Sequence, residues 1–75
     1  MTMTLGMLWF VPRPMLMQEG IIAAAKYHLN KYGRSPDCCY VHIGDTNDVQ
    51  VENLSIHQSK VILPRHIWIG ISDKL

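Results

Sequence analysis

The sequence has few of the features that usually stabilise a small protein. Only two of its 75 residues are cysteines, and these are adjacent, at Cys38 and Cys39. Because consecutive strand residues point to opposite faces, we do not expect a disulfide between them. The chain has no second cysteine pair to complete a zinc site. We therefore expect reduced thiols and neither a metal nor any other cofactor.

Charge of one sign and long apolar runs are also lacking. Seven Lys and Arg residues are balanced by six Asp and Glu residues, for a net charge of +1, and neither kind is clustered. Charge therefore does not indicate nucleic acid as a partner. No run approaches the ~18 apolar residues of a membrane span. Residues 1–11 lack both a preceding basic residue and a following small-residue cleavage site, so we expect no signal peptide, no membrane partner and a cytoplasmic location.

The length of the chain predicts a single domain, residues 1–75, that lacks a large core. Near this size one core gives only a few kcal/mol of stability, and disulfides, metals or partner chains usually add the rest. With the first two excluded and 48% of the residues apolar, we predict a homo-oligomer or a subunit of a larger assembly.

Four segments have the period of a β-strand. Residues 5–11 and 66–71 are apolar on both faces, which is typical of strands with material packed on both sides. Residues 38–43 and 54–58 are predicted as two further strands. The polar residues 44–48 form a turn-rich loop that could lead into a hairpin with a return strand at 49–51.

One segment, residues 15–32, has the period of an amphipathic helix. Pro14 suits its first position, and Gly33 suits the left-handed position just past its end. Gly20 weakens the first turn by ~1 kcal/mol relative to Ala. The predicted core-facing stripe is Ile21, Ile22, Ala25, Leu29 and Tyr32, with Ala24 and His28 on its border.

The resulting order, β-α-β-β-β, predicts an α+β fold: a small mixed sheet of about four strands with one helix packed on one face. The opening unit is expected to be a right-handed crossover between parallel strands. The later strands are expected to follow by hairpin-like connections. One helix cannot cover both faces of such a sheet, so the uncovered face, carrying either Trp9 or Trp68, is predicted to contact a second subunit.

Apolar side chains in or near the first and last predicted strands are the interface candidates. Large aromatic groups and flexible methionines are typical of such surfaces. The candidates are Trp9, Phe10, Met15, Met17 and Trp68.

A second hypothesis is a small-ligand or nucleic-acid-binding protein. The end of the predicted helix combines aromatic rings with cations, and such groups can stack bases and meet phosphates. The His-bearing strands offer an alternative surface. The candidates are Lys26, Tyr27, Lys31, Arg34, His42 and His57.

A third hypothesis is an enzyme or metal protein built on Cys38 or Cys39 and the histidines. A reactive thiol needs a cation or a helix N-terminus nearby, and the cysteines here open a strand after a turn. No H-x-H, H-E-x-x-H or C-x-x-C spacing is present. We therefore assign no catalytic or metal-binding residue.

Three runs resemble a family of small prokaryotic proteins: residues 31–42, residues 61–70 and the strand at Leu8-Trp9-Phe10, together about a third of the chain. The shared pattern is K-Y-G-x-x-P-x-x-C-x-V-H followed by V-x-L-P-x-H-x-W-I-G. No activity is assigned to that family, so the resemblance implies no functional residue. Members have a more polar, acidic helix start than residues 11–17 here, a departure that favours a protein-contacting surface. Short chains of this kind are often products of mobile gene cassettes.

Overall fold

The computed structural model describes residues 3–45 and 49–72, with side chains from residue 6 onward. Within these residues it has one helix and a four-stranded mixed sheet, which confirms the predicted α+β fold. The elements are β1 (Met3–Phe10), α1 (Met17–Tyr32), β2 (Cys38–His42), β3 (Ser55–Ser59) and β4 (His66–Ser72), with a short 3-10 turn at Ile43–Asp45.

The last strand, β4, lies inside the sheet, as its two apolar faces predict. The strand order is β1-β4-β2-β3, and β4 pairs antiparallel with both β1 and β2. Its isoleucines, at 67, 69 and 71, are buried on the face that α1 covers. On that face Ile67 lies opposite Trp9 on one side and Val41 on the other. The core is therefore built around the end of the chain.

The connections differ from the predicted hairpins. Strands β2 and β3 are parallel, with Cys39 opposite Ile56, so the predicted hairpin after β2 is wrong. Of the return strand predicted at 49–51, only Val51 forms a bridge, to Leu54, because the chain turns at once through residues 52 and 53. Most of the loop predicted at 44–48 lies outside the described residues.

The opening β-α-β unit is split by the last strand. Strands β1 and β2 both run antiparallel to β4 and are therefore parallel to each other, as predicted. They are not neighbours, because β4 is inserted between them. This insertion makes β1 an edge strand, although its sequence is apolar on both faces.

The helix begins later than predicted and ends where predicted. The Met15 N–H donates to the Pro12 carbonyl at 3.0 Å, so residues 12–15 form a turn and Pro14 is not the first helical residue. The helix starts after Leu16, whose N–H donates to the Glu19 carboxylate at 3.2 Å. At the other end Gly33 has φ 71°, and its N–H donates to the Leu29 carbonyl at 2.8 Å, which confirms the predicted left-handed cap.

The buried face of α1 is rotated from the predicted stripe. The residues it buries are Met17, Gly20, Ile21, Ala24 and His28. Ile22 and Leu29, predicted to face the core, are 38% and 45% exposed. The cause is Gly20: a Cβ there would come within 3.0 Å of both methyl carbons of Val11. Since only glycine permits this approach, the helix packs through Gly20 and turns Ile22 outward.

Candidate interaction surface

The sheet face opposite α1 carries most of the side chains predicted as sites. Strand register gives one row across all four strands, since Leu8 pairs with Trp68, Trp68 with Tyr40, and Tyr40 with His57. Directly paired residues share a face. Phe10 and His66 form a second, adjacent pair on the same face. We call this surface the open face.

The β1 side of the open face is apolar and accessible. Leu8 is 57% exposed, Phe10 is 54% exposed, and Trp68 is 38% exposed. We call these three residues the apolar patch. Side chains of this size are enriched at protein interfaces when they cluster on one face.

Two pairs of rings contact each other on the open face, one across β2 and β3 and one across β1 and β4. Tyr40 and His57 stack with centroids 5.1 Å apart and planes 28° apart. Phe10 and His66 are 5.0 Å apart at 47°. Both centroid distances lie in the range that is favourable for aromatic pairs.

Two histidines of the open face have their tautomer fixed by the backbone. His42 Nδ1 lies 2.9 Å from the Ile62 carbonyl, and His66 Nδ1 lies 2.9 Å from the Pro64 carbonyl. A carbonyl only accepts, so each Nδ1 carries the proton and donates. His57 differs: its Nε2 is buried, and none of the residues that the structure describes forms a hydrogen bond with it.

The predicted interface candidates separate into two groups. Phe10 and Trp68 lie in the apolar patch, and Met15 is exposed in the turn before α1. Met17 is buried in the core, and Trp9 lies half-buried on the helix side, 5.1 Å from the Tyr27 ring. The turn at 12–15 directs Met17 inward, so neither Met17 nor Trp9 belongs to the open face.

The basic and aromatic residues of α1 lie on the other layer of the molecule. Lys31 Nζ is 6.0 Å from the Tyr27 ring centroid and 5.4 Å from that of Tyr32. Tyr27 also contacts Trp9, and Tyr32 contacts the buried His28. Lys26 and Arg34 are exposed on the same layer. The sheet lies between these residues and the open face that carries His42 and His57. The structure therefore does not bring the two predicted ligand surfaces together.

The cysteines are placed for packing. Both are buried thiols, and Cys39 lies in the core with its pKa raised to about 12 by burial and, second, by the neighbouring Cys38 thiol. Cys38 Sγ donates to the Gly70 carbonyl at 3.7 Å, which requires the protonated thiol. A protonated thiol is a poor nucleophile, and Cys39 faces away from the His42 side of the sheet.

The histidines do not form a metal centre within the described ranges 3–45 and 49–72. In that part of the chain, no three His, Cys, Asp or Glu side chains come close enough together to hold an ion. Zinc in proteins normally needs three or four such ligands.

Arg65 has a structural role that sequence reasoning missed. It adopts a left-handed φ of 65°, and its guanidinium donates to the carbonyls of Val11, Pro12 and Met15. Its backbone N–H donates to Asp45 Oδ2 at 2.7 Å. It thereby ties the start of β4 to the chain leaving β1. The one sequence feature that could have indicated this role is the position of Arg65, between Pro64 and the start of a predicted strand.

A second apolar surface lies beside the helix. Ile22 and Leu29, turned outward by the rotation of α1, line a groove of about 260 Å³ together with Pro36 and Leu54. Lys26 and Glu52 lie at the same groove. It is smaller than the clefts that usually hold cofactors or drug-sized ligands.

Comparisons of this chain with protein-family models, with curated proteins and with solved structures found no match. In the part of the chain that the structure describes, no helix has the length and apolar character needed to cross a membrane.

Proposed function

We propose that this chain is a small self-associating interaction module whose contact surface is the apolar patch of the open face. One observation carries the proposal: Leu8, Phe10 and Trp68 lie together and exposed on a sheet face that the helix leaves uncovered. Burying such a patch against a second copy is favourable by ~25 cal/mol per Å² of apolar area. A cytoplasmic location, where free thiols persist, is part of the same proposal.

The size of the domain supports the same proposal. The described core consists of one helix packed against one face of a four-stranded sheet. A core of this kind contributes only a few kcal/mol in a chain of this length. A second copy on the apolar patch adds stability by mass action, so the melting temperature should rise with protein concentration.

Self-association is tested by light scattering and by thermal melting over a range of concentrations. Phe10→Lys places a charge in the apolar patch at an exposed position, and Ile22→Lys is a matched control on the helix groove. We expect the wild-type chain and Ile22→Lys to be dimers, and Phe10→Lys to dissociate about tenfold more readily or worse. A wild-type chain that stays monomeric at high micromolar concentration contradicts the proposal.

A second candidate, single-stranded nucleic-acid binding on the His-bearing strands, is favoured by one observation. Trp68, Tyr40 and His57 form a row of rings across three adjacent strands, and rings on a sheet can stack bases. Fluorescence polarisation with a labelled oligonucleotide tests it: binding should weaken with salt and with Tyr40→Ala. Polarisation that does not change at low salt would exclude it.

A further inference from the structure

The two edges of the sheet are built differently. Strand β3, at one edge, has five residues, is polar at four of them and is followed by Lys60. Short, polar edges with a nearby lysine resist pairing with other chains. Strand β1, at the other edge, has eight residues and contains no charged residue and no proline. The chain therefore protects one edge and leaves the other competent to pair.

A protein partner that covers the unprotected edge has to supply matching backbone hydrogen-bonding groups, as a strand does. Every second residue of β1 turns its N–H and C=O away from β4, and among the described residues no strand pairs with them. An apolar surface alone cannot satisfy these groups. The strand spans ~26 Å at ~3.3 Å per residue, compared with a longest molecular dimension of 33 Å, so pairing would extend along most of the molecule.

We infer that β1 pairs antiparallel with β1 of a second copy, which joins the two sheets into one of eight strands. An uncharged strand meets no like-charge repulsion when it pairs with itself, and antiparallel self-pairing gives a closed two-fold dimer. In that arrangement both helices lie on one side of the joined sheet. Leu8 and Phe10 of the two copies then become neighbours on the open face, so the two apolar patches merge. This inference rests on the proposed self-association and specifies its geometry.

Amide hydrogen exchange of the full chain, measured residue by residue by NMR, tests the pairing directly. In a dimer joined at this edge, the outward-pointing amides of β1 gain about tenfold or more protection as protein concentration rises. The outer amides of β3 serve as the internal control, and their exchange should not change. A dimer whose β1 amides stay as fast as those of β3 overturns the inference.

Crosslinking separates failure of this inference from failure of the proposed function. Leu8→Cys, Trp68→Cys and Ile22→Cys each place an accessible thiol on the folded chain, and a short bismaleimide is the probe. We expect efficient covalent dimers from Leu8→Cys and only background from Ile22→Cys. A dimer captured through Trp68→Cys and not through Leu8→Cys indicates two open faces stacked on each other: self-association then stands and edge pairing falls. If light scattering shows the wild-type chain to be a monomer, both the proposed self-association and the edge pairing are wrong.

Discussion

At the scale of single residues, Gly20 determines how the helix packs. An Ala at this position would gain ~1 kcal/mol of helix propensity, but its Cβ would overlap the Val11 side chain. We predict that Gly20→Ala lowers the free energy of unfolding by about 1–3 kcal/mol, because overpacking outweighs propensity. Urea denaturation measures it. In a Val11→Ala background the same change should cost less, and equal costs in both backgrounds would refute the close approach.

The Arg65 side chain and backbone join three parts of the chain through hydrogen bonds. Arg65→Ala removes the donors to the carbonyls of Val11, Pro12 and Met15. We predict a loss of about 1–3 kcal/mol in the free energy of unfolding, since hydrogen bonds from a charged group are stronger than neutral ones. Arg65→Lys should recover only part of it, because an ammonium group cannot reach several acceptors in the plane of a guanidinium. Full stability in Arg65→Ala would show that these bonds contribute nothing.

The buried thiol of Cys39 makes stability depend on alkaline pH. Its pKa is about 12 in the folded chain, against the ordinary value of 9.0. The unfolded chain therefore binds fewer protons than the folded one between these values, so the free energy of unfolding falls as pH rises above about 9. Denaturation in urea from pH 8 upward measures the decline. The free energy of unfolding of the Cys39→Ala variant should fall less steeply with pH than that of the wild-type chain. Identical slopes would contradict the raised pKa.

At the scale of elements, the orientation of α1 gives a prediction that separates the observed helix from the one expected from periodicity. Ile21 is fully buried and Ile22 is exposed at the groove. We predict a cost of about 2–5 kcal/mol for Ile21→Ala and within about 0.5 kcal/mol for Ile22→Ala. The two substitutions are chemically identical and adjacent, so each is the control for the other. Equal losses of stability would instead support the helix orientation predicted from the periodicity, in which both side chains face the core.

The sequence was sufficient for the elements that local pattern determines. Strand β4 was predicted as a structural centre because its isoleucines alternate with Trp68 and Gly70, and Gly33 marked the helix end because few other residues take a left-handed cap. The helix orientation was not predictable in this way. Ile21 and Ile22 both fall within the predicted apolar stripe, and the contact between Gly20 and Val11 that distinguishes them joins different elements.

The relative direction of β2 and β3 could not be predicted from the sequence either. The alternation in β3 indicates a strand with one buried face but says nothing of whether its neighbour runs parallel or antiparallel. Among the candidate site residues, four lie on the sheet face that the helix leaves uncovered: Phe10, Trp68, His42 and His57. Trp9 and Met17 lie on the helix side. The difference for Met17 comes from the turn at residues 12–15, which moves the helix start and sets which residues point inward.

At the scale of the whole molecule, β4 connects both halves of the sheet. A chain that ends at Pro64 loses the only strand that pairs with β1 among the described residues and one of the two that pair with β2. We predict that this truncated chain does not fold, since the core residues Ile67 and Ile69 are removed with β4. Circular dichroism and the dispersion of amide resonances measure this. A truncated chain with native dispersion and unchanged oligomeric state would show that the sheet does not depend on β4.

In the proposed association, a second copy of the chain completes the uncovered side of the sheet, beginning at β1. Sedimentation equilibrium of the wild-type protein over the micromolar range measures this association. We expect a mass of twice the 8.6 kDa chain that falls towards one chain on dilution, and the same change at higher concentration for Phe10→Lys. A single species of one chain mass at every concentration would show that no second copy binds.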